Sequence, residues 1–166
     1  MSSPKILYAI QGTGNGHLSR SLHFIQALKE VAEVDILISG SENELRLPYP
    51  IKFQLHGLGF HFGYNGGIHW IKTLSALRLR TFLQEVKNLP VDNYDLVVSD
   101  FEPVSAWACQ ANQKKCIGLS NQAGLVLSKK LLKKSDNLVG KLLLSQYAPC
   151  TKLMGLAFRP TKKRHY

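Results

Sequence analysis

Acidic residues are scarce in this chain: 11 Asp and Glu stand against 21 Lys and Arg, for a formal net charge of +10. That imbalance favours an anionic partner, whether nucleic acid, a membrane surface or a phosphorylated substrate, with a solvated basic surface as the plain alternative. Cysteine is sparse too. Cys109, Cys116 and Cys150 form no Cys-x-x-Cys pair and leave an odd one over, which suits a reducing cytoplasm and not a disulfide framework. No apolar run approaches the ~20 residues needed to cross a bilayer, so any membrane contact is expected to be peripheral. The first apolar run is too short for a secretory signal and leads straight into a glycine loop. Internal repeats and low-complexity segments are missing. What is present, 45% hydrophobic and 19% charged residues in 166, suits one domain with a substantial core.

The chain alternates strands and helices. Ile6-Leu7-Tyr8-Ala9-Ile10 reads as a buried strand, followed by Gln11-Gly12-Thr13-Gly14-Asn15-Gly16-His17 and a helix with apolar positions at Leu18, Leu22, Ile25, Leu28 and Val31. A second strand over residues 34–39 closes a β-α-β unit. Residues 51–55 alternate as a third strand. Residues 56–67 hold five glycines among aromatics and two histidines. Helical spacing returns over about 68–88, with Ile71, Leu74, Phe82 and Val86 on one side. Strands follow at 95–99 and 115–119, and between them Pro103 starts a helix running to about Asn112. A basic helix over about 129–147, a short strand at 152–156 and a basic tail complete the pattern. The alternation predicts an α/β, Rossmann-like doubly wound parallel sheet. Ligands of such sheets sit at the carboxyl ends of the strands, here residues 12–17, 39–42, 56–67, 100–103 and 120–122.

A strand that turns through glycines into a helix exposes backbone N–H groups and the positive end of a helix dipole. Dinucleotide binding requires G-x-G-x-x-G and an acidic residue closing the second strand; the spacing here is Gly12-x-Gly14-x-Gly16, and Ser39-Gly40-Ser41 ends that strand, with Glu42 nearby. No Walker lysine follows, which excludes a P-loop. No Asp-x-Asp motif or metal-site histidine spacing occurs.

The loop from Gly12 to His17 resembles the first glycine loop of GT-B glycosyltransferases. The nearest likeness is the branch containing the lipid-linked N-acetylglucosaminyltransferase of peptidoglycan synthesis. Ser99-Asp100-Phe101-Glu102-Pro103, with Cys116-Ile117-Gly118-Leu119-Ser120-Asn121-Gln122, is similar to a less characterised bacterial and archaeal group of that superfamily, in which a histidine stands where this chain has Asn121. The likeness spans about residues 5–158. It implies a single domain over residues 1–158 corresponding to the N-terminal, acceptor-side half of a GT-B enzyme, with residues 159–166 a basic tail or the start of an interdomain linker. Most of the donor site, which belongs to the second GT-B domain, is then expected to lie outside this chain.

The activity so implied is hexosyl or N-acetylhexosaminyl transfer from a nucleotide-sugar, expected to be UDP-linked and a co-substrate rather than a cofactor, to a lipid-linked or cell-envelope acceptor. His17 is the candidate general base, the other reading being a helix-terminal histidine bonded to a neighbouring carbonyl. Gly12, Thr13, Gly14, Asn15, Gly16, Asp100, Glu102, Ser120, Asn121 and Gln122 are the candidate substrate-binding residues. The loop amides could steady a donor pyrophosphate. Asp100 and Glu102 have a structural reading as well, Asp100 capping the helix and Glu102 complementing its dipole. His56, Phe60, His61, Tyr64 and Trp70 could stack on a sugar or pack on the sheet. Lys129, Lys130, Lys133 and Lys134 around Leu131 and Leu132 form a basic patch suited to an anionic membrane or to solvent. No metal, cofactor or nucleic acid is expected, and the expected setting is the cytoplasm, at the inner face of the membrane. The alternatives are a non-catalytic acceptor-binding or membrane-anchoring subunit needing a separate donor-binding chain, a truncated inactive fragment, or an NAD(P)-binding protein.

Overall fold

Successive side chains of a strand face opposite sides of its sheet, and both sides of the first strand, β1 (Lys5–Gln11), are apolar. Leu7 and Ala9 enter one buried cluster, while Ile6, Tyr8 and Ile10 enter another. Burial on both faces is the mark of a parallel sheet covered by helices on each side. The computed structural model describes residues 3–12, 15–40, 47–58, 78–120 and 146–155. The elements are β1, α1 (Asn15–Lys29), β2 (Glu33–Ser39), β3 (Phe53–Leu55), α2 (Leu79–Asn88), a single 3₁₀ turn (Val91–Asn93), β4 (Leu96–Asp100), α3 (Pro103–Ala111), β5 (Cys116–Ser120) and β6 (Lys152–Gly155).

The six strands lie in the order β3-β2-β1-β4-β5-β6, every pair parallel. This is the doubly wound α/β architecture expected from the alternation. Leu18 and Ile25 of α1 close one face of the sheet against Ile36, Ile38 and Val98. Phe82 of α2 with Val104, Ala108 and Cys109 of α3 close the other, against Leu37 and Val97. The strand order reverses between β1 and β4, where Ile10 lies opposite Asp100. The crevice at such a reversal is where open α/β sheets hold ligands.

Two boundaries differ from expectation. Val31 is 68% exposed because α1 ends at Lys29, before a further turn could return that residue to the sheet. The third strand pairs only from Phe53 onward, and Ile51 stays exposed. Ile71, Leu74 and most of the expected helix over 129–147 lie outside the described residues. Among the described residues no helix is long and apolar enough to cross a membrane.

Candidate functional site

The turn that follows β4 sets the geometry. Phe101 adopts φ 56°, a left-handed conformation costly for a side chain of its size. One hydroxyl holds it there: Ser99 Oγ accepts the Glu102 N–H at 2.9 Å and donates to the Glu102 carbonyl at 2.9 Å. The reversal directs two acidic side chains, one residue apart, to different helices. Glu102 becomes the N-cap of α3, its carboxylate accepting the N–H groups of Val104 at 2.8 Å and Ser105 at 2.6 Å. Pro103 takes the first helical position, where its missing N–H is no loss. Glu102 is fully buried, and burial raises its carboxyl above the usual carboxylate range although donors from Ser105, Ser39 and Val104 act the other way.

Asp100 does not cap the helix; this corrects the structural reading of the Asp-Phe-Glu-Pro turn. Because Phe101 turns the chain between them, Glu102 does the capping and Asp100 is left for α1. Its side chain is 1% exposed and meets two residues of that helix. His17 Nδ1 lies 2.9 Å from Asp100 Oδ1. Arg20 Nε donates to Asp100 Oδ2 at 2.9 Å, and Arg20 Nη2 donates to Oδ1. One turn of helix separates His17 from Arg20, so both reach the same carboxylate. Arg20 was not expected from the motifs. The signal available was its spacing of three from His17, which places the two on one helix face.

A second polar network lies at the carboxyl ends of β1 and β2. Ser39 Oγ donates to Gln11 Oε1 at 3.4 Å, and Gln11 Nε2 donates to the Leu58 carbonyl at 3.4 Å. Tyr147 donates its hydroxyl to that same carbonyl and sets its ring against Phe101, centroids 4.8 Å apart. Burial, and next the charge of Glu102, push the Tyr147 hydroxyl well above the usual phenol range. The chain leaving β3 is tied to α2: Glu85 accepts from the N–H of His56 at 2.7 Å and of Gly57 at 3.0 Å. His56 Nδ1 lies 3.1 Å from the same carboxylate.

Of the expected glycine-loop donors, Gly12 gives its N–H to the Ser39 carbonyl at 2.6 Å, extending the sheet and leaving that amide unavailable to an anion. Asn15 and Gly16 open α1, and a Cβ built on Gly16 meets no atom within 4 Å, so the helix start borders open space. Ser120 ends β5 opposite Gly155. Thr13, Gly14, Glu42, Asn121 and Gln122 lie outside the described residues, as do Phe60, His61, Tyr64, Trp70 and the basic patch at 129–134. Among the described residues no group of three or more His, Cys, Asp or Glu could hold a metal ion.

A His–Asp pair at the switch point of a doubly wound sheet, its acid buried and its imidazole part-buried, is the setting in which the family match gains its meaning. The model of glycosyl transferase family 1 matches residues 4–164. The chain belongs to that family. No curated protein matches it. A solved structure similar to this family 1 chain is that of UGT89C1 from Arabidopsis thaliana complexed with UDP, at 16% sequence identity and a TM-score of 0.49. The match covers 90% of this chain and 44% of that one, so the chain spans under half the length of that solved structure.

Proposed function

We propose that this chain is the acceptor-side half of a nucleotide-sugar-dependent glycosyltransferase, with His17 as general base. The observation that carries the proposal is the 2.9 Å contact between His17 Nδ1 and Asp100 Oδ1 at the β1/β4 crevice. With the Nδ1 proton donated to Asp100, Nε2 keeps its lone pair for the acceptor. Nε2 makes no hydrogen bond among the described residues. In the reaction the acceptor hydroxyl passes its proton to Nε2 as its oxygen bonds to the anomeric carbon, and the nucleoside diphosphate leaves with the electron pair of the broken bond. Asp100 then faces an imidazolium and stabilises it without taking its proton. The family match supports glycosyl transfer as the reaction class. The donor is proposed to be UDP-linked, and the acceptor a lipid-linked or cell-envelope glycan, from the likeness of the glycine loop. The excess of 21 Lys and Arg over 11 Asp and Glu suits a pyrophosphate-bearing ligand.

The test is a transfer assay across UDP-sugars, with the chain alone and with a candidate donor-domain partner. His17→Ala is expected to lower turnover by about 10² or more while circular dichroism stays unchanged. Parental turnover in that variant removes the base role. Turnover only in the presence of a partner chain makes this a subunit, not a complete enzyme. Calorimetric titration with UDP-sugars adds an independent arm, since tight binding by the chain alone contradicts a purely acceptor-side domain.

A further inference from the structure

Asp100 meets more than a histidine, and the atoms it meets cannot all bond at once. His17 Nδ1 lies 2.9 Å from Asp100 Oδ1 and 2.7 Å from Arg20 Nη2. A protonated Nδ1 donates to the carboxylate and faces a guanidinium N–H that cannot accept; a bare Nδ1 accepts from the guanidinium and faces carboxylate lone pairs. Both bonds have one ionised partner, but a bare Nδ1 sets its lone pair against the full negative charge of Oδ1 at 2.9 Å, which a protonated Nδ1 turns into a hydrogen bond. Nη2 has two N–H groups and keeps Oδ1 as an acceptor when Nδ1 is protonated, so that tautomer leaves the guanidinium paired. The Nδ1-protonated tautomer is therefore the one that fits this cluster.

Resting on the reading of His17 as base, we propose that Arg20 is the positioning residue of the pair: by clamping both oxygens of Asp100 it fixes which ring nitrogen of His17 carries the proton. Nε holds Oδ2 at 2.9 Å while Nη2 holds Oδ1, a side-on fork that only a planar guanidinium provides. The terminal torsion of an aspartate is otherwise broad. Among the described residues His17 is the one other donor to this carboxylate, and it bonds to Oδ1 alone, so Arg20 is the group that fixes both oxygens. With the fork in place Oδ1 is presented to Nδ1, and Nε2 is left as the basic nitrogen. Without it Asp100 turns, and neutral His17 divides between its two tautomers. Arg20 acts through Asp100 and touches no reacting atom.

The plainer role for Arg20 is charge compensation of a carboxylate that is 1% exposed. Arg20→Lys separates the two, since it keeps the charge and loses the fork; it also keeps the test alive if Arg20→Gln fails to fold. The readout is the ring-nitrogen spectrum of the full chain carrying ¹⁵N-histidine, with His17 assigned by its disappearance in His17→Gln. The parent is expected to show protonated Nδ1 and bare Nε2. Arg20→Lys and Arg20→Gln are expected to show averaged signals, as is Asp100→Ala, and Arg20→Lys is expected to add nothing in the Asp100→Ala background. In the transfer assay kcat falls on the order of tenfold to a hundredfold with KM unchanged, the size of loss that slight misplacement of a catalytic group produces.

A parental His17 spectrum in Arg20→Lys, or an Arg20 effect that persists undiminished without Asp100, overturns the proposal and leaves charge compensation. The spectra are read without substrate. If they follow expectation while His17→Ala retains turnover, the base reading fails and the tautomer lock stands; if they do not, the lock fails whatever the kinetics show.

Discussion

Asp100 and Glu102 are separated by a single residue and have no partner in common among the described contacts: one lies in an ion pair with Arg20, the other caps a helix from within the core. From the motif alone either acid could have been the cap, since both precede a proline that starts a helix. The deciding quantity is the φ of Phe101, which no residue pattern encodes. Arg20 was legible only as a neighbour of His17 on one helix face, because its role exists only once β4 is laid beside β1. His17, by contrast, stood out as a titratable side chain directly after glycines. The raised carboxyl of Glu102 has a consequence for pH. Its folded form binds a proton more tightly than the unfolded chain, whose reference value is 4.5, so its contribution to stability is present below that value and lost as pH rises through the raised one. Glu102→Gln carries no such titration. The difference in Tm, variant minus parent, is expected to become more favourable to the variant between acidic and neutral pH. Parallel curves across that range would contradict the assignment.

At the scale of elements, strands were the most legible feature, because runs buried on both faces are nearly continuous in apolar residues. Boundaries were less so: Val31 and Ile51 belong to apolar patterns but fall just beyond α1 and β3. Glycines were legible as a group and not individually. Gly57 has φ +63°, and a Cβ there would meet Ser39 Oγ at 2.7 Å. Gly57→Ala is expected to cost about 1–3 kcal/mol through strain and collision, read as a lower urea midpoint at unchanged slope. Gly16, on the open start of α1, has no such neighbour. Gly16→Ala is expected to keep or raise stability by up to about 1 kcal/mol. If that variant is stable but inactive, the space before α1 serves a ligand; parental kinetics assign the glycine to no more than the helix.

For the molecule as a whole, alternation of strands and helices was enough to foresee a doubly wound sheet and to place the crevice at its carboxyl edge. The order β3-β2-β1-β4-β5-β6 is what brings the start of α1 beside the Asp-Phe-Glu-Pro turn, so the whole topology stands behind one His–Asp contact. The Ser99 bridge has a further consequence, visible in hydrogen–deuterium exchange. First-turn amides of a helix usually lie open to water, but those of Glu102, Val104 and Ser105 are held by buried acceptors. Their exchange is expected to require opening of the entire domain, with protection equal to that of β1 and β4. Rapid exchange there, at rates typical of an open helix start, would show that the turn frays on its own. Full protection would mean that the strained backbone at Phe101 relaxes only when the sheet itself comes apart, so the aim of Asp100 lasts as long as the fold does.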